Sequence, residues 1–335
     1  MNNFTQQLQQ LPKVELHVHL DCSLSYKVVQ KLLPGTTQEE YNERFVAPEN
    51  CGSLVEYIKC ASASIDIMQT KEQLELVTLD FIEQLKADNV IYCEVRFAPL
   101  QHLKLGLTAE EVVETVNSTI SKATENLDME VRIILCSLRH FTEAESMQTI
   151  RLVEKFKGTN VVGFDLAADE AGYPIDEHKS AFEFAEKHGI PCTCHAGEAC
   201  GPKNVWEAID ELHVQRIGHG VRSYEDSTLM DYLKEKDIHL EICPTSNIKT
   251  GIYPRLEDHN IDKIYRKGTS LSVNTDGRSL SNVTLADEYQ SLNKYFNWQL
   301  QDYLNVNLMA IDAAFVDEKL KSKLRKMVHN HQPKG

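Results

Sequence analysis

No stretch of this sequence approaches the roughly 20 consecutive apolar residues that a membrane-spanning helix needs. Its nine cysteines, at positions 22, 51, 60, 93, 136, 192, 194, 200 and 243, contain no C-x-x-C pair. An odd number scattered in this way fits neither a disulfide framework nor a zinc ribbon, and it points to a reducing compartment. Basic charge is also short: 35 Lys and Arg against 50 Asp and Glu leave a formal net charge of −15. Phosphate backbones and anionic lipid surfaces repel such a chain, so neither nucleic acid nor a membrane is an expected partner. A small neutral or cationic ligand stays open. The opening "MNNFTQQLQQLPKVE" lacks the basic and apolar regions of a signal peptide, and a soluble, cytoplasmic protein is expected. There is no linker, repeat or low-complexity tract, so residues 1–335 are expected to form one domain.

What the sequence does have is alternation. Eight short apolar runs, 14–20, 90–97, 131–138, 161–167, 190–195, 216–219, 238–243 and 269–276, are separated by segments of helical period. Thr108 with Glu111 and Thr142 with Glu145 match the capping box, and Val112, Val113, Val116, Ile120 and Ala123 then fall on one helical face. Gly189 and Gly268 stand where helices must stop before the fifth and eighth runs. Eight strands with helical crossovers predict a (β/α)8 TIM barrel, with active-site groups at the C-terminal strand ends. The rival, a doubly wound open sheet, would normally carry a Gly-rich phosphate loop after its first strand, and none is present. The first crossover, 21–89, is too long for one helix. Its apolar middle, "LVEYIKCASASIDIM", predicts extra helices over the barrel mouth, either as a lid or as ordinary core packing. "TLADEYQSLNKYF" and the charged tail read as closing C-terminal helices.

The strand ends carry the chemistry. His17 and His19 share one face of the first strand because side chains alternate. His195 ends the fifth run and Asp276 the eighth. Three imidazoles and a carboxylate suit a borderline-soft divalent cation, zinc above all, with a position left open. Singly, His195 is as well read as a core histidine and Asp276 as a helix cap; together on matching strand ends they read as a metal site. Such an ion lowers the pKa of water from about 15.7 to about 7. Glu198, one loop turn beyond His195, can then deliver a proton to a substrate without binding the metal. His219, ending the sixth run, can orient the nucleophile and stabilise developing charge. Other patterns fail. Ser246-x-x-Lys249 and the K-T-G at 249–251 share one lysine, no H-E-x-x-H exists, and "PCTC" has the wrong spacing for the zinc signature that combines H-x-E with P-C-x-x-C. The fourth run holds no lysine to bridge two metals, so one zinc per chain is expected.

With these residues placed, the sequence resembles the adenosine deaminase family over nearly its whole length. The matching pieces are "PKVELHVHLD" (12–21), "DLAADEAG" (165–172), "HAGEACGPKNVWEAI" (195–209), "RIGHG" (216–220), "CPTSNIKTG" (243–251) and "SVNTD" (272–276). The resemblance implies zinc on His17, His19, His195 and Asp276, with Glu198 protonating purine N1 while a hydroxide aligned by His219 and Asp276 adds to C6. It also implies contacts from Asp21 to the ribose 5′-hydroxyl and from the Ala168 N–H to purine N3. The implied activity is hydrolytic deamination of adenosine and 2′-deoxyadenosine to the inosine product and ammonia, a step of purine salvage, with a purine nucleoside as the small-molecule partner. One position departs. Gly277 stands where most members have a second aspartate, which binds purine N7. Either water, Arg278 or Ser279 takes over there, or the freed volume serves a modified adenine nucleoside, of the aminodeoxyfutalosine or 5′-thio type; free adenine is a further alternative. Cys22, beside Asp21, reads as a small packed residue. A non-catalytic nucleoside-binding protein is the reading from another class, and the intact ligand set with Glu198 and His219 speaks against it.

Overall fold

The computed structural model describes residues 3–331. Eight parallel strands form one sheet in sequence order: β1 (Lys13–His19), β2 (Val90–Phe97), β3 (Glu130–Leu138), β4 (Val161–Ala167), β5 (Cys192–Ala196), β6 (Arg216–His219), β7 (His239–Ile242) and β8 (Leu271–Val273). Helices cross between them, giving a nearly closed (β/α)8 TIM barrel. Each strand matches one apolar run. β5 starts at Cys192 because Pro191 has no N–H to give the ladder.

The eighth run is shorter than its apolar pattern. β8 ends at Val273, so Asp276 does not end a strand. The physical reason is Asn274, whose side-chain oxygen accepts the N–H groups of Leu16 and His17 at 2.8 and 3.2 Å and so replaces ladder bonds to β1. The seam closes beyond it, where His19 N–H donates to Asp276 O at 2.6 Å and Asp276 N–H to His17 O at 3.1 Å.

The helices form as their sequences dictate. Both expected capping boxes are present, at Thr108 with Glu111 and Thr142 with Glu145. In the helix Ala109–Thr124 the side chains of Val112, Val113, Val116 and Ile120 are fully buried, each worth about 1.5–3 kcal/mol. Gly189 closes its helix at φ +60°, and Gly268 follows another at φ +82°. The first crossover holds five helices, of which Leu54–Lys59 and Ser62–Asp66 lie over the mouth. The helices Leu285–Phe296, Leu300–Ala313 and Glu318–His329 complete the described chain. Among the described residues no helix is long and apolar enough to cross a membrane.

Candidate active site

Four groups converge at the top of the barrel. Atoms of His17, His19, His195 and Asp276 all lie within 4.8 Å of one another. The Nε2 atoms of His19 and His195 face each other at 3.3 Å, and Asp276 Oδ1 stands 3.4 Å from His17 Nε2 and 3.5 Å from His19 Nε2. Ligand atoms about 2.0–2.2 Å from a tetrahedral zinc would be separated by about 3.3–3.6 Å, so the spacing fits such an ion. His17 Nε2 is buried without a hydrogen-bond partner, although its Nδ1 pairs with Glu241 at 2.9 Å. His195 likewise turns Nδ1 to Asp165 at 3.2 Å. A carboxylate behind each ring leaves Nε2 free to bind a cation, the usual support of metal-binding imidazoles. Burial pushes His19 down to about 3 and lowers His195, so both rings are neutral and have a lone pair to give. Burial opposes ionisation of Asp276, but the close approach of His17 and the other neighbouring imidazoles holds it well below the ordinary carboxylate range.

Sequence reasoning missed the layer beneath. Arg96 is fully buried, and its guanidinium donates to Asp165 at 3.1 Å, to Glu241 at 2.7 Å and to Leu16 O at 2.6 Å. Arg216 adds a second guanidinium between Glu241 and Glu94. Burial disfavours the charged form of Glu241, yet Arg216 and Arg96 keep it ionised. The signal was a charged residue inside an apolar strand: Arg96 in "VIYCEVRF", Asp165 in "VVGFDLA" and Glu241 in "IHLEIC".

Glu198 sits in the loop after β5, buried, with Oε2 3.5 Å from His219 Nε2 and Oε1 without a partner. Burial, together with the carboxylates of Asp276 and Glu170, pushes its carboxyl well above the usual range. The protonated form is therefore favoured over that of an ordinary carboxyl. The loop is held from below by Glu170, whose two oxygens accept the N–H groups of Gly197, Glu198 and Cys200 at 2.7, 3.0 and 2.9 Å. Ser246 donates to Asp276 Oδ2 at 2.7 Å.

These side chains open on a cavity of about 110 Å³ at the mouth of the barrel. Asp21, Cys22, Ala168, His19, His195, Glu198, His219 and Asp276 line it, facing an apolar wall of Leu54, Tyr57, Ile58, Ala61 and Ile65 from the mouth helices. The apolar middle of the first crossover thus faces the cavity. Burial raises Asp21 to about 7. Ala168 adopts φ +80° directly after β4.

Gly277 does not line the cavity, and its missing side chain leaves no free volume. A Cβ there would meet Cys22 Cβ at 2.6 Å and Leu280 Cβ at 3.2 Å. Nor do its neighbours turn inward: Arg278 pairs with Glu15 at 2.6 Å and Asp88 at 3.1 Å, and Ser279 donates to Cys22 O at 2.9 Å. The expectations of extra room at 277, or of Arg278 or Ser279 replacing a carboxylate, are corrected by this packing.

Residues 12–331 match the profile of the adenosine deaminase family. The chain belongs to that family. It is 36% identical over 325 residues to an adenosine deaminase of Clostridium perfringens, covering 95% of this chain and 98% of that one. It is 35% identical over 331 residues to the adenosine deaminase of Clostridium acetobutylicum, covering 97% and 99%. Among solved structures, an adenine deaminase from Arthrobacter aurescens superposes with a TM-score of 0.88 at 24% identity, covering 96% and 98%. The Arabidopsis N6-mAMP deaminase gives 0.87 at 25%, covering 97% and 99%. A Burkhoderia ambifaria amidohydrolase with bound Zn gives 0.88 at 21%, covering 99% and 93%. Family membership makes this chain a hydrolytic deaminase acting on an adenine-type substrate.

Proposed function

We propose that the chain catalyses zinc-dependent hydrolytic deamination of adenosine and 2′-deoxyadenosine, releasing ammonia and the inosine product. The observation that carries this reading is the buried Glu198, its carboxyl shifted toward the protonated form, in the same cavity as the His17, His19, His195 and Asp276 cluster. Those four residues would hold the ion, which when bound supplies Lewis acidity that brings the pKa of water from about 15.7 to about 7. Glu198 gives its proton to purine N1, making C6 more electrophilic. His219 and Asp276 orient the attacking oxygen, and the 6-amino group leaves as ammonia. Asp21 takes the ribose 5′-hydroxyl and the Ala168 N–H reaches purine N3, while the mouth helices cover the base and exclude water.

A nucleoside, rather than its monophosphate, is supported by the lining: among the described residues no lysine or arginine borders the cavity, and a phosphate held there would lack the cation that normally pairs with it. The packing of Cys22 against Gly277 removes the ground for preferring a bulkier modified nucleoside. The test is ammonia release from adenosine, 2′-deoxyadenosine, AMP, free adenine and 5′-modified adenosines, with metal content measured on the same preparation. Turnover on the first two above the others is expected. Turnover confined to AMP, free adenine or the 5′-modified compounds overturns the assignment.

A further inference from the structure

We propose that His219 is held as a fixed Nε2–H donor by a relay that starts at the Ile261 main chain and passes through His259 and Asn247, which act as positioning residues. The inference rests on the proposed deaminase chemistry for its consequence, but its geometry stands by itself. The Ile261 N–H donates to His259 Nδ1 at 3.0 Å. A backbone amide has no alternative role, so this nitrogen must be an acceptor, and the proton of the neutral ring sits on Nε2. Burial supports neutrality, pushing His259 down to about 3. His259 Nε2 lies 3.2 Å from Asn247 Oδ1 and donates to it. That contact fixes the orientation of the amide, which therefore presents Nδ2 to His219 Nδ1 at 3.1 Å. His219 Nδ1 accepts, and its proton is left on Nε2. Ile261, His259, Asn247 and His219 are all no more than 1% exposed, so bulk water offers no competing partner.

The consequence is a division of labour. Nε2 of His219 is the nitrogen on the Glu198 side, 3.5 Å from Oε2, in the cavity wall. As a donor it stabilises negative charge on the attacking oxygen; it has no lone pair there with which to remove that oxygen's proton. His219 thus orients and stabilises, and Asn247 and His259 act on the reaction only through it.

The experiment is a long-range 1H–15N spectrum of the full-length, metal-loaded protein labelled in histidine, with kinetics on the same samples. Wild type is expected to show His219 protonated at Nε2. In Asn247→Asp the carboxylate can only accept, so the proton is drawn to Nδ1. The His219 pattern should reverse, and kcat for adenosine should fall about 100- to 1000-fold, the usual loss of one preorganised donor, with KM and metal content near wild type. His259→Gln, whose amide can still donate to Asn247, should keep the Nε2–H pattern and most of the turnover. A wild-type spectrum showing His219 protonated at Nδ1 overturns the relay, and it does so whether or not Asn247→Asp folds. An Asn247→Asp protein with the wild-type tautomer and kcat overturns it as well. Wild-type protein that shows the expected tautomer but deaminates no nucleoside would instead sink the functional reading.

Discussion

Among the described residues eight other than glycine have positive φ, and all but Asn282 form two groups that sit in different parts of the molecule. Asn89, His213, Asp237 and Asn297 follow the helices Lys71–Ala87, Pro202–Leu212, Ser227–Glu235 and Leu285–Phe296. Asn and Asp are the residues, after glycine, that best tolerate the left-handed conformation, and helix ends commonly need it. Ala168, His219 and Asp276, at φ +80°, +60° and +64°, lie instead at or just beyond the ends of β4, β6 and β8, and all three line the cavity. There the conformation ends no helix. It places Ala168, an imidazole and a carboxylate on the wall of one cavity. Left-handed backbone at the mouth shapes the cavity wall, whereas at the helix ends it serves chain reversal.

This contrast predicts that side-chain changes at the mouth cost turnover or metal affinity, and that relieving left-handed backbone changes stability more at Ala168 than at the helix ends. The largest effect is expected for Glu198→Gln, which keeps shape but removes the proton. Its kcat should fall by about 10²- to 10⁴-fold, with metal content and melting temperature close to wild type; kinetics beside a thermal melt check this, and wild-type kcat would break the contrast. Next comes the layer under the metal ligands. Asp165→Asn leaves His195 without an anionic partner and should weaken metal affinity about 10- to 100-fold, read by competition with a chromophoric chelator. The smallest effect is conformational. Ala168→Gly relieves a Cβ at φ +80° and should gain about 0.5–1 kcal/mol after the greater unfolded-state freedom of glycine is subtracted. Asn297→Gly should stay within about 0.5 kcal/mol, since Asn already tolerates its φ. Denaturant unfolding of both variants sharpens the distinction.

The strands were legible because each is an apolar run bounded by turn or cap residues, and the candidate ligands His17, His19 and His195 because they fall near strand ends, the first two with the alternation of a pleat. Asp276 joins the expected cluster of side chains, but not from a strand end: Asn274 diverts the ladder, and no periodicity reports a side chain that replaces backbone bonds. The carboxylates Asp165 and Glu241 left a trace as charges inside apolar strands. His259 left none. It lies in a polar loop of the sequence and is buried only because that loop folds under Asn247. The closure of position 277 by Cys22 was equally invisible, since the two residues are 255 positions apart in sequence and meet only when the barrel closes.

The central claim is that the cluster of His17, His19, His195 and Asp276 holds the one divalent ion that deamination needs. It is tested most directly by titrating zinc into chelator-stripped protein while following bound metal and ammonia release from adenosine together. Turnover that rises in proportion to occupancy and saturates at one zinc per chain is the predicted result. Full turnover by the stripped protein, or saturation at one zinc with no deamination, would contradict it.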